Sequence, residues 1–253
     1  MEQIRLLKKD FLGMSKASTF TPKGRRSLPQ ELIQFGRHLV YSEGTKTEPY
    51  YVESIKNSIS RKHMCRPNDI QIISVNKDGE SYNTIKLFKY ADSDVRKRVE
   101  NGELIHHVWV FFDKDSFPKD DYDNAHKLIE EKNNSDNENV DGYRYDKETG
   151  ICWHSCWSNE CFELWIYLYF NYLDSGVDRK QYRKMINDIP SLKRIGFEYE
   201  KNLKDIHNIL MANGGSIDKA INSAKKLEKG NGTSNPSTGV YKFAEFFREY
   251  MKD

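Results

Sequence analysis

The sequence predicts an α/β protein: a mainly parallel sheet with helices on both faces, followed by a helical region. Three observations lead there. Short apolar runs at 38–42, 70–75 and 106–112 are continuous rather than alternating, as in strands covered on both sides. Segments of helical period separate them. The resulting order, strand–helix–strand–helix–strand, is that of a parallel sheet wrapped by its crossovers. Three regions are expected: a basic arm over 1–34, an α/β domain over 35–175, and a helical region over 176–253 packed on it.

The arm carries Arg5, Lys8, Lys9, Lys16, Lys23, Arg25 and Arg26 against Glu2 and Asp10, a composition for a flexible extension or for phosphate contact. The first strand is His38-Leu39-Val40-Tyr41-Ser42, stopped by Glu43-Gly44. A helix follows, capped by Thr45 or Thr47, with Glu48 and Pro49 in its first turn and Tyr50, Tyr51, Ile55 and Ile59 on its apolar side. Ile70-Gln71-Ile72-Ile73-Ser74-Val75 is β-branched and runs into the turn-forming Asn76-Lys77-Asp78-Gly79. Residues 81–99, with Ile85, Leu87, Phe88, Ala91 and Val95, read as a second helix. His106-His107-Val108-Trp109-Val110-Phe111-Phe112 then forms the strongest strand pattern, ended by Asp113-Lys114-Asp115.

From Asp113 to Glu148 the charge turns acidic, and Asn133 to Asn139 reads as a polar loop without a packed core. A strand is expected around Gly150-Ile151-Cys152-Trp153. Ser158-Asn159 would then cap a helix over Cys161–Phe170, which is apolar on nearly every side and therefore buried. Beyond about 176 only helices are expected, at 179–188, 198–212, 216–229 and 239–252, with 225–237 an exposed linker rich in Lys, Gly, Asn and Ser.

Composition narrows the function classes. With 253 residues the chain can bury a substantial core without disulfides. Forty Lys and Arg against 38 Asp and Glu leave +2, so attraction to an anionic polymer must come from local patches. The 15 Tyr, 13 Phe and 4 Trp are too many for a disordered chain. No stretch approaches the apolar length of a membrane span, and the N-terminus lacks the apolar core of a signal peptide, so no membrane partner and a cytoplasmic location are expected. The four cysteines should stay reduced. No Walker A loop, dinucleotide fingerprint or Gly-x-Ser-x-Gly elbow is present.

Chemistry is expected where strands end. If the first and third strands are parallel neighbours, Glu43, Asp113 and Asp115 converge, and the strand period of two sends both aspartates to one side with Lys114 pointing away. Clustered carboxylates are what a hard divalent cation needs, and Mg²⁺ completes such a shell with water and substrate phosphate. Each acid also has a plain structural reading, as a solvated turn or a helix start. Glu163, one turn into an apolar helix, requires a cation, a hydrogen-bond network or a cleft. Glu48 is a ligand or a helix-start residue favoured by the dipole. Lys46, Arg61, Lys62, Lys193, Arg194 and Lys201 are candidate phosphate-groove residues or plain surface. Cys152, His154, Cys156 and Cys161, with His63 or Cys65, have no standard zinc spacing and read as small buried residues.

Taken together, Ser42-Glu43-Gly44-Thr45-Lys46-Thr47-Glu48-Pro49-Tyr50-Tyr51, Phe112-Asp113-Lys114-Asp115, Ser158-Asn159-Glu160-Cys161-Phe162-Glu163-Leu164-Trp165, Tyr199-Glu200-Lys201 and Asn235-Pro236-Ser237-Thr238 resemble the RloB family, which includes the AbiLii abortive-infection proteins. The resemblance spans about 35–250, and Glu160 departs from it where the family usually has Pro. The Glu-Gly and Asp-x-Asp elements are similar to the acidic signature of Toprim domains. That implies a Toprim-like fold and Mg²⁺-dependent cleavage of RNA such as tRNA, or of DNA, with Mn²⁺ as a substitute ion. In that scheme Glu43, Asp113 and Asp115 hold the metal, with Glu43 a ligand or the base for water, while Glu163 and Lys201 complete the catalytic set. The resemblance also implies a toxic effector in antiphage defence, partnered by an ABC-type ATPase. The competing reading is a non-catalytic subunit that binds nucleic acid or regulates that ATPase. A further alternative is cleavage or ligation of small nucleotides at the same metal site.

Overall fold

The strands form where the continuous apolar runs lie. β1 (His38–Ser42), β2 (Ile70–Ser74), β3 (His107–Asp113) and β4 (Cys152–Asn159) pair in parallel, and the two-residue β5 (Ser237–Thr238) adds antiparallel to β4, giving the order β2-β1-β3-β4-β5. This computed structural model describes residues 36–61, 66, 69–75, 84–114, 119–139 and 141–251. The basic arm, His63, Cys65 and Asp115 lie outside those residues, as does the turn expected at 76–79.

Alternate strand residues feed two cores. Val40, Trp109, Phe111 and Cys156 face α1 (Thr47–Arg61), which contributes Tyr51, Val52, Ile55 and Ile59. Leu39, Tyr41, Val108, Val110, Phe112, Trp153 and Trp157 face α2 (Thr84–Glu100), through Leu87, Phe88, Ala91 and Val95, and α3 (Lys119–Lys132), through Ile129. The period of two in the strands thus sorts apolar side chains onto both faces, as expected. The result is an α/β architecture consistent with the Toprim-like class.

Later elements thicken the first face. α4 (Glu163–Leu168) is buried, followed by α5 (Arg179–Asn187), α6 (Pro190–Arg194), α7 (Ile206–Ala212), α8 (Ile217–Asn231) and α9 (Tyr241–Met251). Leu164, Tyr182, Leu192, Leu210, Ala220 and Phe243 join the same core as β1 and β3. Phe35–Asp253 forms one compact unit.

Several expectations need correction. The acidic stretch after Asp113 contains α3, whose inward positions include Ala125 and Ile129 one turn apart, too narrow a stripe to stand out. Ser158 and Asn159 are not a helix cap: they extend β4, pairing with Thr238 and Ser237. The 198–212 helix is confined to α7, behind Asp205 with a left-handed backbone (φ 59°). The 225–237 segment is not an exposed linker, because α8 continues through Asn231 and Ser237 is buried in β5. The region beyond 176 therefore contains a strand as well as helices. The Asn-rich loop after α3 is ordered by polar contacts: the Asn133 amide pairs with both backbone groups of Trp153, at 2.7 and 2.9 Å, as a strand neighbour would. No helix among the described residues is long and apolar enough to cross a membrane.

Candidate active-site cleft

β1 and β3 lie side by side, with Ser42 opposite Phe111, and the Glu43 N–H donates to the Phe111 carbonyl at 3.3 Å. From these neighbouring strand ends the chain departs to opposite faces, α1 onto one core and α3 onto the other. Such a switch in direction opens a crevice beyond the carboxyl ends of the strands, where open α/β sheets bind ligands. Glu43 follows β1 and Asp113 ends β3, so topology alone brings both to this crevice.

The crevice is a cleft of about 290 Å³. Glu43, Gly44, Lys46 and Glu48 line it from the β1–α1 turn, Asp113 from β3, Phe162 and Glu163 from the start of α4, Arg179 from α5, and Lys201 from the segment before α7. The turn is tightened by the Ser42 hydroxyl, which donates to the Gly44 carbonyl at 2.7 Å. Gly44 has a specific role there: a Cβ would lie 2.5 Å from Glu48 Oε2. Glu48, in the first turn of α1 and buried, is thus accommodated against bare backbone. It both lines the cleft and occupies the acid-favouring end of the helix.

Asp113 is oriented by the Phe162 N–H, which donates to its Oδ2 at 3.2 Å. The end of β3 is braced in turn by β4: the Lys114 N–H donates to the Ser158 carbonyl at 2.9 Å, and Ser158 Oγ shares a hydrogen bond with Thr238 Oγ1 at 3.2 Å. The Ser-Asn and Ser-Thr motifs of the sequence therefore meet behind the acid. Glu163 is 5 % exposed and has two polar partners at Oε1, a hydrogen bond from Tyr199 Oη at 3.2 Å and an ion pair with Lys201 Nζ at 3.6 Å. These are the polar partners its place in an apolar helix demands.

Carboxylates from Glu43, Glu48, Asp113 and Glu163 thus share the lining with cations from Lys46, Arg179 and Lys201. The negative field is felt nearby. Burial pushes the Cys161 thiol up, and the charges of Glu163 and Asp113 add to it; burial and then Glu163 do the same to the Tyr199 phenol. Both stay protonated at neutral pH, which fixes Tyr199 as a donor to Glu163.

Of the residues selected from the sequence, Glu43, Asp113, Glu163 and Lys201 line this one cleft, as do Lys46 and Glu48. Asp115 lies outside the described residues. Lys193 and Arg194 are on α6 and absent from the lining, with Lys193 paired to Asp188 at 3.2 Å. Arg179 was missed: it opens a polar helix far along the chain, and only tertiary packing brings it here. Among the described residues no three His, Cys, Asp or Glu side chains are grouped closely enough to hold a metal ion. The acidic groups lining the cleft nevertheless offer only carboxylate oxygen, the donor type that suits Mg²⁺ or Mn²⁺. Of the zinc candidates among the described residues, Cys152, Cys156 and Cys161 are buried core thiols.

No curated protein and no solved structure matches the chain. A family model described as RloB-like protein matches residues 38–246, from the first residue of β1 into α9 and so across every element that builds the cleft. On that match, the chain belongs to the RloB-like family.

Proposed function

We propose that this protein is a metal-dependent nuclease that hydrolyses phosphodiester bonds in RNA such as tRNA, or in DNA. The observation that carries the reading is the shared cleft at the ends of β1 and β3, where carboxylates and cations from separate segments face one another. Glu43, Asp113 and Asp115 are the proposed holders of Mg²⁺ or Mn²⁺. A bound ion of this kind lowers the pKa of water and offsets charge growing on the phosphoryl oxygens.

The chain's own residues divide the remaining work. Asp113, fixed by the Phe162 amide, presents a carboxylate in one orientation. Glu43 is a further ligand or the acceptor of the water proton. Lys201, Lys46 and Arg179 hold the phosphate by charge, Arg179 with a planar fork that can bind two oxygens at once. Glu163 sets the position of Lys201. Family membership supports the wider setting we propose, a toxic effector of antiphage abortive infection in the cytoplasm, working with an ABC-type ATPase.

The test is cleavage of end-labelled tRNA and duplex DNA in Mg²⁺ or Mn²⁺, with and without the ATPase. Asp113→Ala and Glu43→Ala are each expected to lower the rate about a hundredfold or more, and EDTA to stop it. Cleavage that continues unchanged in both variants defeats the assignment. Tight complex formation with the ATPase, without hydrolysis of either polymer, points to the regulatory subunit, and products from nucleotides alone point to small-molecule chemistry.

A further inference from the structure

The run Tyr199-Glu200-Lys201 reaches the cleft with its side chains divided. Tyr199 and Lys201 go to Glu163, while Glu200 between them pairs with Arg183 on the outside. Tyr199 and Lys201 thus share one side of the run and Glu200 takes the other. The run is fixed at both ends: the Tyr199 N–H donates to Asn187 Oδ1 at 2.7 Å, and the Thr47 hydroxyl donates to the Lys201 carbonyl at 3.4 Å. One anchor lies on the helical side, at the end of α5, and the other at the start of α1 beside the acids.

Tyr199 is 3 % exposed, and a phenol so buried requires a polar partner. Its partner is Glu163, itself buried and in need of donors. Lys201 Nζ reaches the same oxygen of Glu163, but its side chain is 58 % exposed and so also faces the cleft. An ammonium in that place divides its attraction between Glu163 and an anion in front of it.

We infer that Tyr199 is a positioning residue for the reaction, holding Glu163 Oε1 so that Lys201 remains directed at the phosphate. Tyr199 does not line the cleft; its phenol reaches the lining through Glu163, and Thr47 is its second neighbour there. With the phenol hydroxyl removed, Glu163 keeps the Cys161 thiol and the ammonium as neighbours, and its less satisfied charge draws Lys201 back from the substrate. The inference rests on the phosphodiester reading of the cleft and deepens it, by naming the residue that sets its charge balance.

The test compares wild type, Tyr199→Phe, Glu163→Gln and the double variant, in cleavage of labelled tRNA and duplex DNA and in urea denaturation. Tyr199→Phe is expected to lower kcat about tenfold, with KM held within about twofold. In the Glu163→Gln background the same change is expected to alter kcat by less than about twofold, since the group it works through is already altered. An equal loss of kcat in both backgrounds overturns the inference, as does full activity of Tyr199→Phe. The denaturation cycle needs no turnover: non-additive losses show that the pair is coupled, and additive ones sink the inference. If no form of the protein cleaves, the nuclease reading and the positioning role of Tyr199 fall together, while a positive cycle still locates the fault in the assigned chemistry rather than in the contact.

Discussion

At Gly44 the missing side chain is what lets a carboxylate lie against the turn. A methyl group there would sit 2.5 Å from Glu48 Oε2, well inside contact distance. The obstacle is the far end of a flexible side chain, so the fold can yield by swinging Glu48 aside. Gly44→Ala is therefore expected to cost less than about 1 kcal/mol in urea denaturation, within the usual range for a change that displaces no core, while lowering cleavage about tenfold or more. Equal activity in the variant would show that the place of Glu48 is immaterial to the chemistry. At this scale much of the cleft was legible: Glu43 and Asp113 lie next to strand ends, and Glu163 was conspicuous as a charge in an apolar helix. Arg179 carried no comparable local signal, because a cation at the start of a polar helix looks the same whether it faces solvent or a site.

Among the elements, β3 and β5 show why some were legible and others not. The β3 run is apolar from Val108 to Phe112 and buried apart from its last residue, Asp113, the pattern of a central strand. β5 is two polar residues, Ser237 and Thr238, and exists because the end of β4 offers it a partner. Its neighbour Gly239 completes the fit: the N–H donates to the Trp157 carbonyl at 2.9 Å, and a Cβ would come within 2.3 Å of the Trp157 ring. Unlike the Glu48 carboxylate, this ring is fully buried and cannot move away. Gly239→Ala is expected to destabilise the protein by about 1–3 kcal/mol or more, the cost of overpacking, and to lower activity through the brace on β3. A urea midpoint equal to wild type would refute that packing account. α3 went unrecognised for the opposite reason, a helix of largely polar sequence whose buried apolar positions among the described residues are Ala125 and Ile129.

Across the whole molecule the sheet separates two cores, and several histidines lie in or beside them. His154 stacks on Trp109 with ring centres 3.8 Å apart and shares a hydrogen bond with His107 at 3.0 Å. His207 Nδ1 shares a hydrogen bond with the Tyr169 hydroxyl at 2.8 Å, and Tyr169 shares a further bond with Tyr51. Burial holds the His154 imidazole well below its ordinary value, and lowers His207 to about 4 against an ordinary 6.5. Below pH 6.5 the unfolded chain takes up protons at these positions that the folded chain refuses, so stability is complete above that pH and falls as pH drops toward 4. For His207 the loss is on the order of 3 kcal/mol across that window. Urea denaturation at pH 7.5, 6 and 4.5 is expected to show the decline, with a shallower slope in His207→Gln; equal slopes would exclude this imidazole as a source. The global architecture was the most legible level, since continuous strands alternating with helices admit few arrangements. The clustering of rings inside it was not, because which histidines meet depends on strand order.

The brace behind Asp113 has a temporal consequence. Ser158 and Thr238 are joined by a hydrogen bond although 80 positions of chain separate them, and β5 is threaded after almost everything else. On the ribosome, the residues that line the cleft all emerge before the strand that steadies it. A nascent polypeptide therefore carries the proposed cutting groups for some time without the support that aligns them, and a premature stop just ahead of Ser237 would leave every lining side chain present in a protein that never acquires its finished geometry.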